Sequence, residues 1–346
     1  YLNDNQLSGS IPSSIGDMRA LWALSLNDNQ LTGSIPSSIG DMRTLGALYL
    51  NDNQLTGSIP RSMVDLGLDN LYLNDNQLSG SIPSSIGDMS FLYSLYLNGN
   101  QLSGSIPCSI GDMYFLKNLY LNDNQLTGSI PSGIDNLLHL LAFLSLNDNQ
   151  LSGSIPSRII HAPLFGLFLS DNQLTGSIPS GIGDMRLLYY LYLNDNQLTG
   201  SIPSSIGDMT NIDFLYLNDN QLSGSIPSSI GDMSSLSNLY LNDNQLSGSI
   251  PRSMCDMHFL EVLYLNGNQL TGSIPSSIGD MIRLEQLYVS DNMLSGMLLA
   301  QIPVSMLGFD CSYNAEITGT IPTSFAPAWK FHYLNVAGTG IGKFCC

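Results

Sequence analysis

Aspartate recurs at two fixed places in this sequence, and carboxylates in such numbers are the first groups that could do chemistry. One series contains Asp4, Asp28, Asp52, Asp75, Asp123, Asp148, Asp171, Asp195, Asp219, Asp243 and Asp291. The other contains Asp17, Asp41, Asp65, Asp88, Asp112, Asp135, Asp184, Asp208, Asp232, Asp256 and Asp280. Oxygen ligands suit Ca²⁺, so weak Ca²⁺ binding is one interpretation; a solvated acidic face, or capping of local backbone, is the other. An acid–base pair is not indicated, because catalytic carboxylates need differing environments.

The remaining reactive side chains do not form a catalytic set. Neither a Ser/His/Asp arrangement nor a phosphate-binding loop accompanies the scattered histidines, which are His139, His161, His258 and His332. The five cysteines lack zinc or redox spacing. Cys311 stands where other repeats place Leu, which predicts a buried thiol, and Cys345 with Cys346 suggests a disulfide-stapled terminal cap. We therefore expect a protein that is not an enzyme and that has no cofactor.

An asparagine motif indicates the kind of structure that must carry these series. Asn-Asp-Asn-Gln-Leu, or a close variant, returns about every 24 residues. A fixed period of 20–29 residues is typical of a solenoid of stacked coils. We expect the second Asn of each motif to bond the backbone of neighbouring coils in a structural ladder, whose members are Asn29, Asn53, Asn76, Asn100, Asn124, Asn149, Asn172, Asn196, Asn220, Asn244, Asn268 and Asn292.

Each repeat predicts two short strands and one tight turn. Apolar and polar residues alternate in Leu48-Tyr49-Leu50, so the leucines point inward and Tyr49 points outward in a first strand. Residues 55–60 alternate in the same way and predict a second strand, which a proline closes. The segment after proline, Ser13 to Met18 in the first repeat, fits one 3₁₀-like turn with a serine cap.

The whole repeat resembles a known family. The pattern Leu-x-x-Leu-x-Leu-x-x-Asn-x-Leu-[Ser/Thr]-Gly-x-Ile-Pro, as in residues 45–60, is similar to the plant-type leucine-rich repeat and covers essentially the whole chain. That family includes receptor kinases, receptor-like proteins, polygalacturonase inhibitors and some ice-binding proteins, so the pattern is specific for fold and weakly specific for function. The resemblance implies an α/β repeat: a right-handed leucine-rich-repeat solenoid with a concave parallel β-sheet, a second short β-sheet, and short 3₁₀/α turns on the convex side.

The regularity of the repeats predicts the domain organisation. Regular repeats occupy residues 1–296, and we expect residues 297–346 to form degenerate repeats and a C-terminal cap, because terminal repeats close the open end of a core. The chain opens at Tyr1 within a repeat and ends at Cys346, which indicates a piece of a longer protein. The sequence contains no run of about 20 apolar residues, so it predicts no membrane span. The family resemblance implies a secreted or cell-surface protein.

Stacking turns each repeated position into a column, because neighbouring strands lie about 4.8 Å apart. One column is aromatic and is a candidate binding face: Tyr49, Tyr72, Tyr96, Tyr120, Tyr192, Tyr216, Tyr240, Tyr264 and Tyr288. With the flanking amides and carboxylates it could stack sugars and bond their hydroxyl groups. Mutual stacking of the rings on an exposed sheet is the alternative.

A second candidate face consists of small hydroxyl residues: Thr32, Ser34, Thr56, Ser58, Ser81, Ser105, Ser129, Ser177, Ser201, Ser225, Ser249 and Ser273. Two rows of small hydroxyls on a flat sheet resemble the faces of ice-binding solenoids. The alternative is the repeat consensus itself, since Ser or Thr before Gly already belongs to it.

The charge of the chain narrows the range of partners. The 346 residues include 28 Asp and Glu but 10 Lys and Arg, a formal net charge of −18, which repels nucleic acid and anionic membranes. The leading hypothesis is a non-catalytic extracellular scaffold that binds a protein or glycan ligand through its repetitive faces. The alternatives are binding of a periodic surface such as ice, self-assembly, or uniform repeats left by recent duplication.

Overall fold

The computed structural model describes residues 1–137, 139–321 and 332–341. Two compact units divide the chain, Tyr1–Leu174 and Thr175–Cys346. Each unit is a stack of coils, and a regular coil contributes one strand to each of two parallel sheets and one 3₁₀ turn between them. We call the sheet that carries the tyrosine column the tyrosine sheet, and the sheet that carries the Ser/Thr residues the serine sheet. The predicted fold class is confirmed.

The strands of the first unit follow one another in chain order within each sheet. The tyrosine sheet consists of β2 (Ala23–Ser25), β4 (Ala47–Tyr49), β6 (Asn70–Tyr72), β8 (Ser94–Tyr96), β10 (Asn118–Tyr120), β12 (Phe143–Ser145) and β14 (Gly166–Phe168). The serine sheet consists of β1 (Ser8–Ser10), β3 (Gln30–Ser34), β5 (Gln54–Gly57), β7 (Gln77–Ser81), β9 (Gln101–Ser105), β11 (Gln125–Ser129), β13 (Gln150–Ser154) and β15 (Gln173–Thr175).

The second unit repeats this arrangement. Its tyrosine sheet consists of β16 (Tyr190–Tyr192), β18 (Phe214–Tyr216), β20 (Asn238–Tyr240), β22 (Val262–Tyr264), β24 (Gln286–Tyr288), β26 (Gly308–Asp310) and β28 (Tyr333–Asn335). Its serine sheet consists of β17 (Thr199–Gly200), β19 (Gln221–Ser225), β21 (Gln245–Ser249), β23 (Gln269–Gly272), β25 (Met293–Met297), β27 (Glu316–Gly319) and β29 (Gly340–Ile341).

Short 3₁₀ turns link the serine sheet of one coil to the tyrosine sheet of the next. They span Ser13–Asp17, Ser37–Asp41, Arg61–Asp65, Ile86–Asp88, Cys108–Asp112, Ser132–Leu137, Ser157–His161, Ile182–Asp184, Ser204–Asp208, Ser228–Asp232, Arg252–Asp256 and Ser276–Asp280. The predicted serine cap is wrong: Pro36 occupies the N-cap position of the second turn, and no side chain caps it. The Ser38 hydroxyl instead donates to the carbonyl oxygen of Ser13 in the preceding coil, at 2.5 Å.

The core lies between the two sheets and the turns. Leu48, Leu50 and Leu55 are fully buried, whereas Thr56 is exposed and Tyr49 is half-buried, as the alternation predicts. Each buried leucine contributes about 2 kcal/mol by leaving water. Because every coil repeats these positions, the core of each unit is a continuous column of aliphatic side chains.

The two sheets differ in register. In the tyrosine sheet equivalent residues lie side by side, as Tyr72 does beside Tyr96. In the serine sheet Ser129 lies beside Ser152, which stands two positions before its equivalent Ser154. Adjacent strands rotate by roughly 20° relative to each other. When the strands of the tyrosine sheet stay in register, such a rotation displaces each strand of the serine sheet along its own direction relative to the preceding one. The rows of hydroxyls therefore run obliquely rather than straight up the serine sheet.

Coils continue past Met297. Asn314 is fully buried and its Nδ2 donates to the carbonyl oxygen of Val289 at 3.0 Å, which extends the ladder. Cys311 is a buried free cysteine, and burial raises the pKa of its thiol to about 12. The expected cap at Cys345 and Cys346 lies outside the described residues. Within the described ranges, no helix has the length and apolar character needed to cross a membrane.

Candidate binding surfaces

The ladder asparagines are bonded to backbone on all sides. Asn244 Nδ2 donates to the carbonyl oxygens of Leu241 and Asn242 in its own coil, at 3.3 and 3.1 Å. It also donates to the carbonyl oxygen of Leu217 in the preceding coil at 3.0 Å, and its Oδ1 accepts from the amide of Leu222 at 2.9 Å. The Asn244 side chain thus joins two coils. Both of its polar atoms are hydrogen-bonded within the protein and are not offered to a ligand.

Aspartates of the first series lie just after the strands of the tyrosine sheet. These aspartates hold left-handed backbone, with φ between 51° and 55°, a region that Asp tolerates better than most residues. Asp52 Oδ2 accepts from Asn51 Nδ2 at 2.7 Å, and the same contact recurs in other coils. In the described part of the chain, no three acidic, His or Cys side chains converge as metal ligands would. Binding of Ca²⁺ by either aspartate series stays a prediction.

The tyrosine column stacks on itself. The ring centres of Tyr72 and Tyr96 lie 4.4 Å apart with planes 10° from parallel, and those of Tyr192 and Tyr216 lie 4.4 Å apart with planes 6° from parallel. Burial, followed by repulsion between neighbouring phenolates, raises the pKa of Tyr216 to about 12. The stacked rings cover each other's faces, whereas the Tyr240 ring meets those of Tyr216 and Tyr264 edge-on, with planes 67° and 68° apart. Binding of a sugar or a protein by these tyrosines stays a prediction.

The serine face is uniformly open. The serine that follows glycine is exposed at each position where it occurs: Ser10, Ser34, Ser58, Ser81, Ser105, Ser129, Ser154, Ser177, Ser201, Ser225, Ser249 and Ser273. The backbone favours glycine before it, since Gly104 has a φ of +76°, a conformation that residues with a side chain rarely adopt. The result is a flat hydroxyl surface with little relief.

Sequence reasoning missed a third surface, at one edge of the tyrosine sheet. The residues just before each tyrosine-sheet strand form what we call the edge column. In the first unit it consists of Trp22, Gly46, Asp69, Tyr93, Lys117, Ala142 and Phe165, and in the second of Tyr189, Asp213, Ser237, Glu261, Glu285, Leu307 and His332. Backbone bonds connect its members, such as the Asp213 amide to the Tyr189 carbonyl oxygen at 2.9 Å. The signal in the sequence was variation: residue type changes from coil to coil in the edge column and at the first strand position after it, whereas the leucine just before it is nearly constant.

Large apolar side chains are exposed in this edge column and two or three positions before it; together we call them the edge surface. They are Trp22, Phe91, Tyr93, Tyr114, Phe115, Leu140, Phe165, Leu187, Tyr189, Phe259 and Ile282. The Phe91 and Phe115 rings stack with centres 6.4 Å apart, and Lys117 Nζ lies 5.5 Å from the centre of the Tyr93 ring. Exposed apolar patches mark interaction sites, and aromatic residues are enriched in protein interfaces.

Comparison with known proteins gives consistent results. A family model described as "Leucine rich repeat" matches residues 186–246 and 215–270. A second model, "Leucine Rich Repeat", matches residues 20–42, 67–89, 91–113, 115–137 and 164–185. A comparison with curated protein sequences gives no match.

Solved structures extend the likeness to nearly the whole chain. The Arabidopsis receptor kinase HAESA, solved with the peptide hormone IDA and the co-receptor SERK1, is 32% identical over 97% of this chain, with a TM-score of 0.92. The chain spans 56% of the length of that receptor chain. The plant peptide hormone receptor RGFR1, solved with RGF2, is 30% identical over 99% of this chain and 67% of its own, with a TM-score of 0.80. A plant ice-binding protein is 28% identical over 81% of this chain and 82% of its own, with a TM-score of 0.59. The repeat motif, the stacked coils and these matches agree, and the chain belongs to the plant-type leucine-rich repeat family.

Proposed function

We propose that the chain is a non-catalytic, extracellular module that binds a protein partner through its edge surface. The observation that carries this proposal is the coincidence of two properties at one place. Residue types vary from coil to coil along the edge column, and exposed aromatic side chains are concentrated there. The two receptors similar to this chain were each solved with a peptide ligand, which supports a protein partner and an extracellular setting.

An irregular partner needs an irregular surface. The tyrosine and serine columns repeat the same groups in coil after coil, so they offer little to distinguish one protein from another. The edge surface, in contrast, places an exposed tryptophan, a stacked phenylalanine pair and a lysine at different heights in the first unit. Such aromatic anchors carry most of the binding free energy in many interfaces.

Replacing both Phe91 and Phe115 by serine is expected to weaken partner binding at least about tenfold, because truncating an aromatic anchor typically costs 2 kcal/mol or more. Both side chains are exposed, so the double variant should keep its folded-state circular dichroism. The measurement begins with immobilised wild-type protein and extracellular proteins of the source organism. The affinity of each retained protein is then determined by surface plasmon resonance.

The matched control replaces two exposed serines of the serine sheet, Ser58→Ala and Ser105→Ala, and should leave affinity within about twofold. Equal affinities for wild type and the phenylalanine variant would contradict the edge surface as the binding site. Loss with the serine variant alone would assign binding to the other sheet.

The serine sheet supports a second candidate function, binding of ice. Its exposed serines recur in successive coils from Ser10 to Ser273, after which Met297 takes the same position, and the similar structures include a plant ice-binding protein. A flat array of small hydroxyls fits an ordered surface better than it fits a protein with its own relief.

If the serine sheet binds ice, wild-type protein shows thermal hysteresis and inhibits ice recrystallisation, and Ser105→Tyr with Ser129→Tyr removes both activities, because two bulky rings lift the flat face from the crystal. The Phe91→Ser, Phe115→Ser variant serves as control and retains full activity. Absence of both activities in millimolar wild-type protein would remove this candidate.

A further inference from the structure

The edge surface of the second unit contains a cavity with aromatic walls and a polar lining. Its volume is about 400 Å³, and it is lined by Tyr189, Asn211, Asp213, Ser235 and Phe259. Tyr189 and Asp213 are adjacent members of the edge column, and Phe259 is about half exposed. A tyrosine in the coil next to a carboxylate forms an environment that suits an organic cation, which is attracted both to the aromatic ring and to the acid.

Asp213 is the charged group of this cavity. Its Oδ1 accepts a hydrogen bond from the Ser237 hydroxyl at 2.5 Å, which fixes the orientation of the carboxylate. In the described ranges no protein group donates a hydrogen bond to Oδ2. One oxygen is therefore held in place by the protein, and the other faces away from that bond.

Acidic residues continue along the same edge column. Backbone bonds of 3.0 Å from the Ser237 amide to Asp213 and of 2.8 Å from the Glu261 amide to Ser237 connect consecutive coils, and Glu285 follows Glu261 with another bond of 2.8 Å. At about 4.8 Å per coil, Asp213 and Glu261 lie roughly 10 Å apart. On an extended chain, side chains two positions apart point to the same face and lie about 7 Å apart. Two basic side chains on such a chain would reach both acids.

One aromatic ring of the cavity already lies against a cation of the chain itself, so a second cation would bind beside Tyr189 and Asp213. The guanidinium carbon of Arg283 lies 4.6 Å from the centre of the Phe259 ring. The edge column of the first unit has a different character, since Lys117 lies over Tyr93 there and Asp69 is its acidic member. The acidic, aromatic environment is therefore a property of particular coils and does not follow from the repeat consensus.

We propose that the second unit binds an extended segment of a partner protein through two basic side chains, one in the cavity beside Tyr189 and Asp213 and one at Glu261. The proposal rests on the proposed function and deepens it by naming the chemistry of the partner. Lysine or arginine at two positions of the segment supplies the charge, and the Tyr189 ring packs against the aliphatic part of the first side chain.

The test uses the full chain and a fluorescein-labelled octapeptide of alternating Lys and Ser, with binding followed by fluorescence anisotropy. The Asp213→Asn, Glu261→Gln variant is expected to bind this probe at least tenfold more weakly than wild type, and Tyr189→Ala at least threefold more weakly. An octapeptide of alternating Gln and Ser should not bind at all.

The control variant Asp41→Asn, Asp69→Asn removes the same number of charges elsewhere and should bind the lysine probe within twofold of wild type. Equal weakening by both double variants would show that net charge alone attracts the probe and would overturn the proposal, as would no weakening by either. The proposed function is tested separately. If the affinity of a partner depends on Phe91 and Phe115 but not on Asp213 and Glu261, the proposed function holds and the proposal of a basic segment is contradicted.

Discussion

Replacing Asn244 by alanine is expected to lower the free energy of unfolding by roughly 3 kcal/mol, because it leaves several buried backbone groups unpaired. The amide of Leu222 loses its acceptor, and the carbonyl oxygens of Leu217, Leu241 and Asn242 lose a donor. Asn244 is itself buried, so water cannot replace these bonds without opening the coil. Denaturant unfolding followed by circular dichroism measures the change.

The matched control is Asn5→Ala in the first coil. Asn5 is exposed, and its Nδ2 donates to the carbonyl oxygens of Leu2 and Asn3 in its own coil, so water can take its place. We expect a loss of about 0.5 kcal/mol or less. Equal losses at the two positions would show that the ladder stabilises each coil locally and does not connect coils.

Replacing Gly207 by alanine is expected to destabilise the protein by about 3 kcal/mol, because the added Cβ has no room. A Cβ built there lies 2.2 Å from the carbonyl oxygen of Ser229 in the next coil. That atom belongs to the backbone, so relief requires the two turns to move apart. Thermal unfolding at a fixed scan rate should therefore show a lower midpoint for the variant.

Gly67→Ala provides the control for this prediction. A Cβ at Gly67 meets nothing within 4 Å, and the substitution restricts the unfolded chain, so its expected effect is neutral or a gain of up to about 1 kcal/mol. A similar loss at both glycines would mean that backbone freedom, rather than contact between coils, explains their presence.

Much of the fold could be predicted from one repeat, because the rules that govern a coil are local. Alternation places Leu48 inward and Tyr49 outward, and the same alternation recurs in every coil. The serine cap was wrong because proline occupies the N-cap position, which leaves the Ser38 hydroxyl to bond the neighbouring coil. The offset of the serine sheet could not be predicted, since it arises from rotation between coils and no single repeat contains it.

Some of the candidate sites could also be predicted from the sequence, and one could not. The tyrosine and serine positions are visible in the sequence because they recur. The edge surface was missed because a search for repetition ignores the positions that change, such as Asp69, Lys117 and Asp213. Their proximity follows from stacking, which brings together residues that lie about 24 positions apart in the chain.

The offset between Ser129 and its equivalent Ser154 also has a consequence for symmetry. Hydroxyl-bearing residues on adjacent strands are about 5 Å apart, whereas equivalent serines are separated by roughly 8 Å along a diagonal. The serine sheet is therefore an oblique lattice, and an oblique lattice built from L-amino acids has a single hand. If the spacing of a crystal plane matches the spacing of the serine lattice along one diagonal, it does not match along the mirror-related diagonal. The serine sheet would therefore bind an ordered surface in one orientation and would not bind it in the mirror-related orientation.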